Sequence, residues 1–336
     1  MYIVAFTVTY FVFRRQIKER NFPINDDDLS GLFLWAIVCL IAGARIFYAL
    51  VYDIDGEFRR APWLIFWPFR NGTFVGLQGM SYHGGVIGAF LATVIYSKAK
   101  KFNFREIGDM FAASIPLGFT FGRLGNFING ELYGRITASP LGIIFPHGGI
   151  APWHPDFDRI RAAAAHMGIA SVAGPAGILN FPRHPSQLYQ MFFEGIFLWA
   201  VIWMCRNRKP FKGFLISMYF IGYGLIRFII EYFRQPDENI GYRLQFVASE
   251  LPLAIAHPLL AFSTGQVLCF LMIVAGVAWA LFASRLGNRE PVLDYAAAGA
   301  HLTAGAGGQD SHRRKEASES AKLERNRRRK LRNKLK

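Results

Sequence analysis

Charge is scarce in this sequence. Asp, Glu, Lys and Arg make up 18% of the 336 residues while 52% are hydrophobic, against about 25% charge in ordinary soluble domains. A soluble fold of this size is thereby disfavoured, and the surplus apolar surface is expected to face lipid. Cysteine is scarce too: Cys39, Cys205 and Cys269 each lie inside an apolar run, an odd set with neither a disulfide framework nor a zinc spacing. They are expected to be small packing residues. Also missing are HExxH, CxxC, a phosphate-binding loop, GxSxG and a dinucleotide fingerprint, so neither a metal nor a nucleotide cofactor is expected. A signal peptide needs basic residues before its apolar stretch and a small-residue cleavage site after it. Here the basic cluster Arg14, Arg15, Lys18 and Arg20 follows instead.

What is present is a series of long apolar runs. Leu32–Tyr52, Gln187–Cys205, Phe214–Phe233 and Gln266–Ser284 each approach the ~20 residues that cross a hydrocarbon core. Tyr82–Ser97 and Ile107–Gly122 are shorter and Gly-rich, the composition of helices whose backbones approach closely. Met1–Phe13 spans only about 20 Å at ~1.5 Å per residue, as if it had lost its beginning. The expected fold is therefore all-α: a polytopic membrane bundle of seven transmembrane helices, the first shortened. Residues 1–289 form the membrane domain, with a small extracytoplasmic insertion at about 131–186. Basic residues recur after the first run, at Lys98–Arg105, at Arg206–Lys212 and from Arg285 onward. The positive-inside bias then puts the C-terminus in the cytoplasm of a bacterial plasma membrane protein. The Ala/Gly-rich and then basic stretch 290–336 is expected to be a disordered tail, attracted loosely to anionic lipid rather than to nucleic acid.

Ionisable residues inside spans are costly and mark candidate sites; here they are His83, Asp109, Arg123, Glu131, Glu194, Arg227 and Glu231. His83 opens a Gly-rich span in His83-Gly84-Gly85-Val86-Ile87-Gly88. Arg123, Asn126 and Gly130 fall near one helical face of Gly122-Arg123-Leu124-Gly125-Asn126-Phe127-Ile128-Asn129-Gly130-Glu131-Leu132-Tyr133-Gly134, where a guanidinium and an amide could converge on one anion. Tyr223, Arg227 and Glu231, spaced four apart, share another face. The plainer alternatives are a capping histidine, an arginine snorkelling to head groups and a self-neutralising Arg227–Glu231 pair.

The run Gly122–Gly134 resembles the signature of the prolipoprotein diacylglyceryl transferase family. His83–Gly88, His184-Pro185-Ser186-Gln187-Leu188-Tyr189 and Arg227–Asp237 are similar to three further family motifs in the same order, so that the resemblance covers about residues 1–285. It implies a seven-helix inner-membrane enzyme that transfers the diacylglyceryl group of phosphatidylglycerol to the lipobox cysteine of preprolipoproteins, releasing glycerol 1-phosphate. It also implies catalytic roles for His83, Arg123 and Arg227, and phosphatidylglycerol contacts for Arg123, Asn126, Glu131, Gly134, Tyr223 and Glu231. The partners implied are phosphatidylglycerol, signal peptides bearing a lipobox, and membrane lipids. Two positions depart from the family: its members carry a further N-terminal segment with a motif tyrosine, and Gln190 stands where glutamate is common.

The chemistry suits these residue types. Cleavage turns a phosphodiester with one negative charge into a monoester approaching two, so a fixed arginine gains interaction as the bond breaks. A thiol near pKa 8.5 is only a few per cent thiolate at neutral pH, and His83 is the natural base, or else orients the phosphate. The alternative is a secondary transporter for an anionic solute, although no internal repeat is visible.

Overall fold

The computed structural model describes residues 1–51, 56–70, 72–74, 76, 79–235, 242–246, 252, 254–255 and 261–287. The expected tail at 290–336 lies outside the described residues. The chain is mostly helical: α1 (Tyr2–Arg20), α2 (Asp26–Val51), a single turn α3 (Glu57–Arg60), α4 (Tyr82–Ala99), α5 (Phe104–Ala112), α6 (Ile115–Ile128), α7 (Phe157–His166), α8 (Ser186–Gln190), α9 (Leu198–Cys205), α10 (Phe214–Ile230) and α11 (Thr264–Gly287). A π-helical stretch, Met191–Phe197, joins α8 to α9 into one continuous rod. Asp26–Val51, Ser186–Cys205 and Thr264–Leu286 are long and apolar enough to cross a membrane, and Gly84–Ala99 and Phe214–Ile230 are shorter apolar helices.

Three expectations need correction. The fold is not purely α: short antiparallel pairs join Phe69–Arg70 to Thr73–Phe74, Val172–Ala173 to Leu179–Asn180, and Tyr242–Gln245 to Ala261–Ser263. The run Ile107–Gly122 is not one helix but is broken between α5 and α6. Pro116 causes the break, because its ring lacks an N–H and crowds the carbonyl four residues back. The exposed ladder is repaired by side chains: the Ser114 hydroxyl donates to Met110 O at 2.7 Å, and the Gln16 amide of α1 donates to Met110 O at 3.0 Å and Ser114 Oγ at 2.9 Å. Finally, α1 extends well past its apolar run. It stops at Asn21, which adopts a left-handed φ of 48° while Phe22 donates back to Ile17 O and is itself buried, a helix-ending turn secured by an apolar contact.

The helices meet through small residues. A Cβ on Gly84 would strike Gly43 O, and one on Gly88 would strike Cys39 O, so α2 and α4 touch backbone to backbone. This is the close approach expected of the Gly-rich run. Likewise α1 lies against α6, where a Cβ on Gly118 would come 2.7 Å from Ala5 O. At the basic end of the bundle, Phe13, Ile17, Leu29, Leu32, Ile107 and Met110 form a core. At the other end the segment after α6 builds a small cap around α7, with Ile136, Ile150, Ile160, Ala164, Ile169 and Phe181 inside it.

Arg45 of α2, 2% exposed, fixes the connection between α2 and α4 from below. Its guanidinium donates to Ile65 O at 2.7 Å, Leu64 O at 3.1 Å and Gly79 O at 2.8 Å.

If the α2–α4 contact is as tight as this, Gly88→Val forces the helices apart. Overpacking of that kind costs about 1–3 kcal/mol, so the purified variant should melt several degrees below the wild-type protein in the same detergent. An unchanged melting temperature would contradict the packing described.

Candidate active site

The site is built where α6, the π-helical stretch and α10 converge beneath the cap. Arg123 sits one and a half turns before the end of α6, and its guanidinium lies over the Phe119 ring at 4.8 Å. Phe119 in turn meets the edge of Tyr223 of α10, with centroids 6.0 Å apart, and Tyr223 stacks on Tyr219. One turn on from Tyr223 is Arg227. Its Nη2 lies 3.1 Å from Glu231 Oε2 and its Nη1 lies 3.6 Å from Glu194 Oε1. Arg234 closes the row, with Nη1 3.9 Å from Glu231 Oε1. Arg227 and Arg234 thus share Glu231, Arg227 also approaches Glu194, and Arg123 is joined to this row through the Phe119 and Tyr223 rings.

Arg123 and Arg227 carry like charge and repel, and Glu194 and Glu231 lie beside Arg227. Arg123 Nε and Arg227 Nη1 are buried N–H groups without a hydrogen-bond acceptor. A buried donor left unpaired costs about 1–3 kcal/mol, more when charged. An anion between them would satisfy both donors.

The structure gathers most of the expected residues but assigns some of them different partners. The Asn126 amide was expected to converge with Arg123 on an anion. Instead it donates to Glu131 Oε1 at 2.8 Å, and its oxygen accepts from Arg123 Nη1 at 3.4 Å. Asn126 therefore links the guanidinium to a carboxylate on the exposed rim. Gly130, with φ 65°, ends α6 and turns the chain. Gly134 lies where a Cβ would come within 2.7 Å of His184 O and would strike Phe233 O. Its N–H donates to His184 O at 2.8 Å, and Arg135 N donates to Phe233 O at 3.0 Å. Gly134 is the point where the cap is sewn to the bundle. The Arg227–Glu231 pair does form, yet Glu231 also accepts from Ser263 Oγ at 3.2 Å, so it ties α10 to the residue preceding α11. The backbone of His83 forms the first turn of α4, capped by Ser81 accepting from Gly84 N at 3.4 Å; the His83 side chain lies outside the described residues.

The motif at 184–189 is scaffolding on the evidence of its contacts. Gln187 Nε2 donates to Glu131 O at 2.7 Å and Ser186 Oγ to Leu132 O at 3.1 Å. His184 Nδ1 is 3.2 Å from Tyr189 Oη, and burial pushes its imidazole below the ordinary value, which favours the neutral ring. Sequence reasoning missed Arg183, 2% exposed, whose guanidinium donates to Gly148 O at 3.0 Å and to Gln235 Oε1. An arginine preceding a recognised motif carried no pattern of its own. Glu194 stood out only as an ionisable residue inside an apolar run, and its place beside Arg227 depends on the π-helical turn that rotates it inward.

Asp109 does not belong to this site. It is fully buried at the basic end of the bundle, where it binds Lys209 Nζ at 3.0 Å and accepts from the backbone of Gly213, Leu215 and Ile216 at 3.0, 2.9 and 3.2 Å. It is the cap of α10, which starts at a left-handed Gly213 and has no capping side chain of its own. Among the described residues no group of three His, Cys, Asp or Glu side chains could hold a metal ion.

A family model described as prolipoprotein diacylglyceryl transferase matches residues 1–282. A phosphatidylglycerol–prolipoprotein diacylglyceryl transferase of Treponema denticola is 50% identical over 292 residues, covering 83% of this chain and 86% of that protein. One of Treponema pallidum is 44% identical over 303 residues, with 87% and 91% covered. One of Chlorobaculum tepidum is 38% identical over 297 residues, with 87% of each covered.

Asp109→Asn separates the capping role from chemistry. Losing one partner of a buried ion pair costs about 3–5 kcal/mol, so the variant should melt well below the wild type. A variant that melts normally would show that α10 needs no cap from α5.

Proposed function

We propose, from the premise that the chain belongs to the prolipoprotein diacylglyceryl transferase family, that it moves the diacylglyceryl group of phosphatidylglycerol onto the lipobox cysteine of preprolipoproteins. This is the first step of lipoprotein maturation. The observation that supports it is the pair of guanidiniums, Arg123 and Arg227, joined through the Phe119 and Tyr223 rings, with a buried N–H group lacking an acceptor on each. A secondary transporter for an anionic solute is not favoured by the curated relatives.

In this reading the chain crosses a bacterial inner membrane seven times. The segment from α5 to α6 makes one broken crossing and the rod from α8 to α9 makes another. The basic ends, where Arg20 donates to Arg206 O and Lys100 binds Asp28, face the cytoplasm. The cap at about 131–186 faces outward, where exported substrate arrives; residues 1–289 are the catalytic domain and 290–336 a cytoplasmic tail.

Phosphatidylglycerol enters with its phosphodiester between Arg123 and Arg227. Tyr223 and Phe119 wall the space between the two cations, Glu231 and Asn126 orient them, and Glu131 anchors Asn126 from the rim. Gly134 keeps the cap close enough to exclude water, which strengthens each charge interaction beneath it. The lipobox thiol gives its proton to a base, the role that the family resemblance offers His83 unless it orients the phosphate instead. The resulting thiolate attacks the glycerol carbon of the diacylglyceryl moiety, the carbon–oxygen bond to phosphate breaks, and its electron pair stays on glycerol 1-phosphate. The second negative charge develops against two guanidiniums that were fixed before the reaction began, so little reorganisation is needed as the bond breaks.

Arg123→Lys keeps the charge but replaces a planar fork with a compact ammonium. With one charged hydrogen bond worth ~1.5–3 kcal/mol, diacylglyceryl transfer in membranes containing equal amounts of enzyme should fall about thirtyfold. A snorkelling anchor would tolerate lysine, because both side chains snorkel; near-wild-type transfer would remove Arg123 from the site.

A further inference from the structure

The rod formed by α8, the π-helical stretch and α9 buries a row of polar side chains that gripping a phosphate does not require. Gln187, Gln190 and Glu194 are all buried. Their spacing along the rod puts them on one face, whereas Phe192 and Phe193 between them are exposed. The rod packs on α6, where a Cβ on Gly195 would strike Thr120. At one end of the row Glu194 Oε1 lies 3.6 Å from Arg227 Nη1 of α10, beyond hydrogen-bonding distance. At the other end the Gln187 amide donates to Glu131 O at 2.7 Å, at the rim below the cap. The row therefore starts beside Arg227 and rises about 10 Å towards the rim at ~1.5 Å per residue.

Every member of the row has polar atoms without a hydrogen-bond partner: Gln187 Oε1, Gln190 Nε2 and both oxygens of Glu194. Buried polar atoms are costly to leave unpaired, and here they follow one another along a face that ends on an arginine with an unpaired N–H of its own. The set is mixed. Gln190 supplies a donor, while Gln187 and Glu194 supply acceptors, Glu194 in either protonation state because a protonated carboxyl keeps acceptor capacity. A hydroxyl both donates and accepts, so it can satisfy all three. An ammonium has only donors, which leaves Gln190 Nε2 unmatched, and it would lie beside the like charge of Arg227.

We infer that Gln187, Gln190 and Glu194 form the subsite that reads the head-group glycerol of the phospholipid, with Gln190 as a specificity-determining residue. The inference rests on the reading that Arg123 and Arg227 hold the phosphate. With the phosphodiester there, the glycerol leaves the phosphate beside Glu194 and extends along the row towards the rim. One hydroxyl donates to Glu194 and accepts from Gln190 Nε2, and the other donates to Gln187 Oε1. Selectivity follows from what a wrong head group leaves unpaired: sites that bond a substrate hydroxyl discriminate strongly against analogues lacking it.

The test compares phosphatidylglycerol with phosphatidylmethanol, an anionic phosphodiester whose head group has no hydroxyl, as diacylglyceryl donors to a model preprolipoprotein at matched enzyme levels. Wild-type enzyme should prefer phosphatidylglycerol by at least about tenfold in kcat/KM. Gln190→Met, unbranched like glutamine but without the amide, should lose about fivefold or more with phosphatidylglycerol and stay within about twofold of the wild type with phosphatidylmethanol. Gln190→Glu, which accepts from a hydroxyl where glutamine donates, should keep the preference. Equal use of the two lipids by the wild type, a result that needs no variant, would overturn the inference and leave the phosphate site standing. Equal losses on both lipids in Gln190→Met, or failure of that variant to accumulate, would make Gln190 a packing element and overturn it. No loss on either lipid would leave the row to water and overturn it too. A wild-type protein that transfers from neither lipid would instead remove the transferase reading itself.

Discussion

Two guanidiniums close together inside an apolar bundle are the constraint on which the rest of this structure depends. Arg123 and Arg227 repel each other, and neither can escape to water without leaving its helix. Their position therefore has to be enforced by everything around them: the Phe119 and Tyr223 rings between them, Glu231 on the same helix and Glu194 on a neighbouring one. Those neighbours need enforcement in turn. Glu231 is held by Ser263, and Glu194 by the π-helical register that Gly195 and Thr120 fix. The packing of the rest of the bundle holds this arrangement in place.

The two ends of the bundle solve different problems. At the basic end Asp109 takes four donors, and Gln16 and Ser114 repair the break that Pro116 imposes. At the capped end, buried donors on Arg123 and Arg227 and both oxygens of Glu194 stay unfilled.

How much of this was legible in the sequence follows from what each residue's neighbours are. The apolar runs and the Gly122–Gly134 signature depend on local pattern, and both correspond to what is found: helices in the runs, and in the signature a helix end carrying Arg123, Asn126 and the turn at Gly130. The i, i+4 stripe of Tyr223, Arg227 and Glu231 is likewise a property of one helix. What could not be read were pairings between helices. The Glu194–Arg227 approach needs a π-helical turn that no residue pattern announces, and the pairing of Asn126 with Glu131 depends on a loop geometry set by the cap. Asp109 looked like a site residue because an ionisable group in an apolar run marks one; its actual partners are Lys209 and three backbone N–H groups, all about a hundred residues away. The break at Pro116 falls at a residue type that membrane helices tolerate when side chains repair the ladder, which is what Gln16 and Ser114 do.

The central claim is that Arg123 and Arg227 act on one phosphate. It is tested most directly by a double-mutant cycle with Arg123→Lys and Arg227→Lys, measured as kcat/KM for diacylglyceryl transfer from phosphatidylglycerol at matched enzyme levels. Residues that grip the same group are coupled, typically by about 0.5–3 kcal/mol. The account predicts that the double variant loses clearly less than the product of the two single losses, since breaking either half of the grip already releases the phosphate. Losses that multiply independently would mean that the two arginines serve separate ends and that the shared phosphate site does not exist.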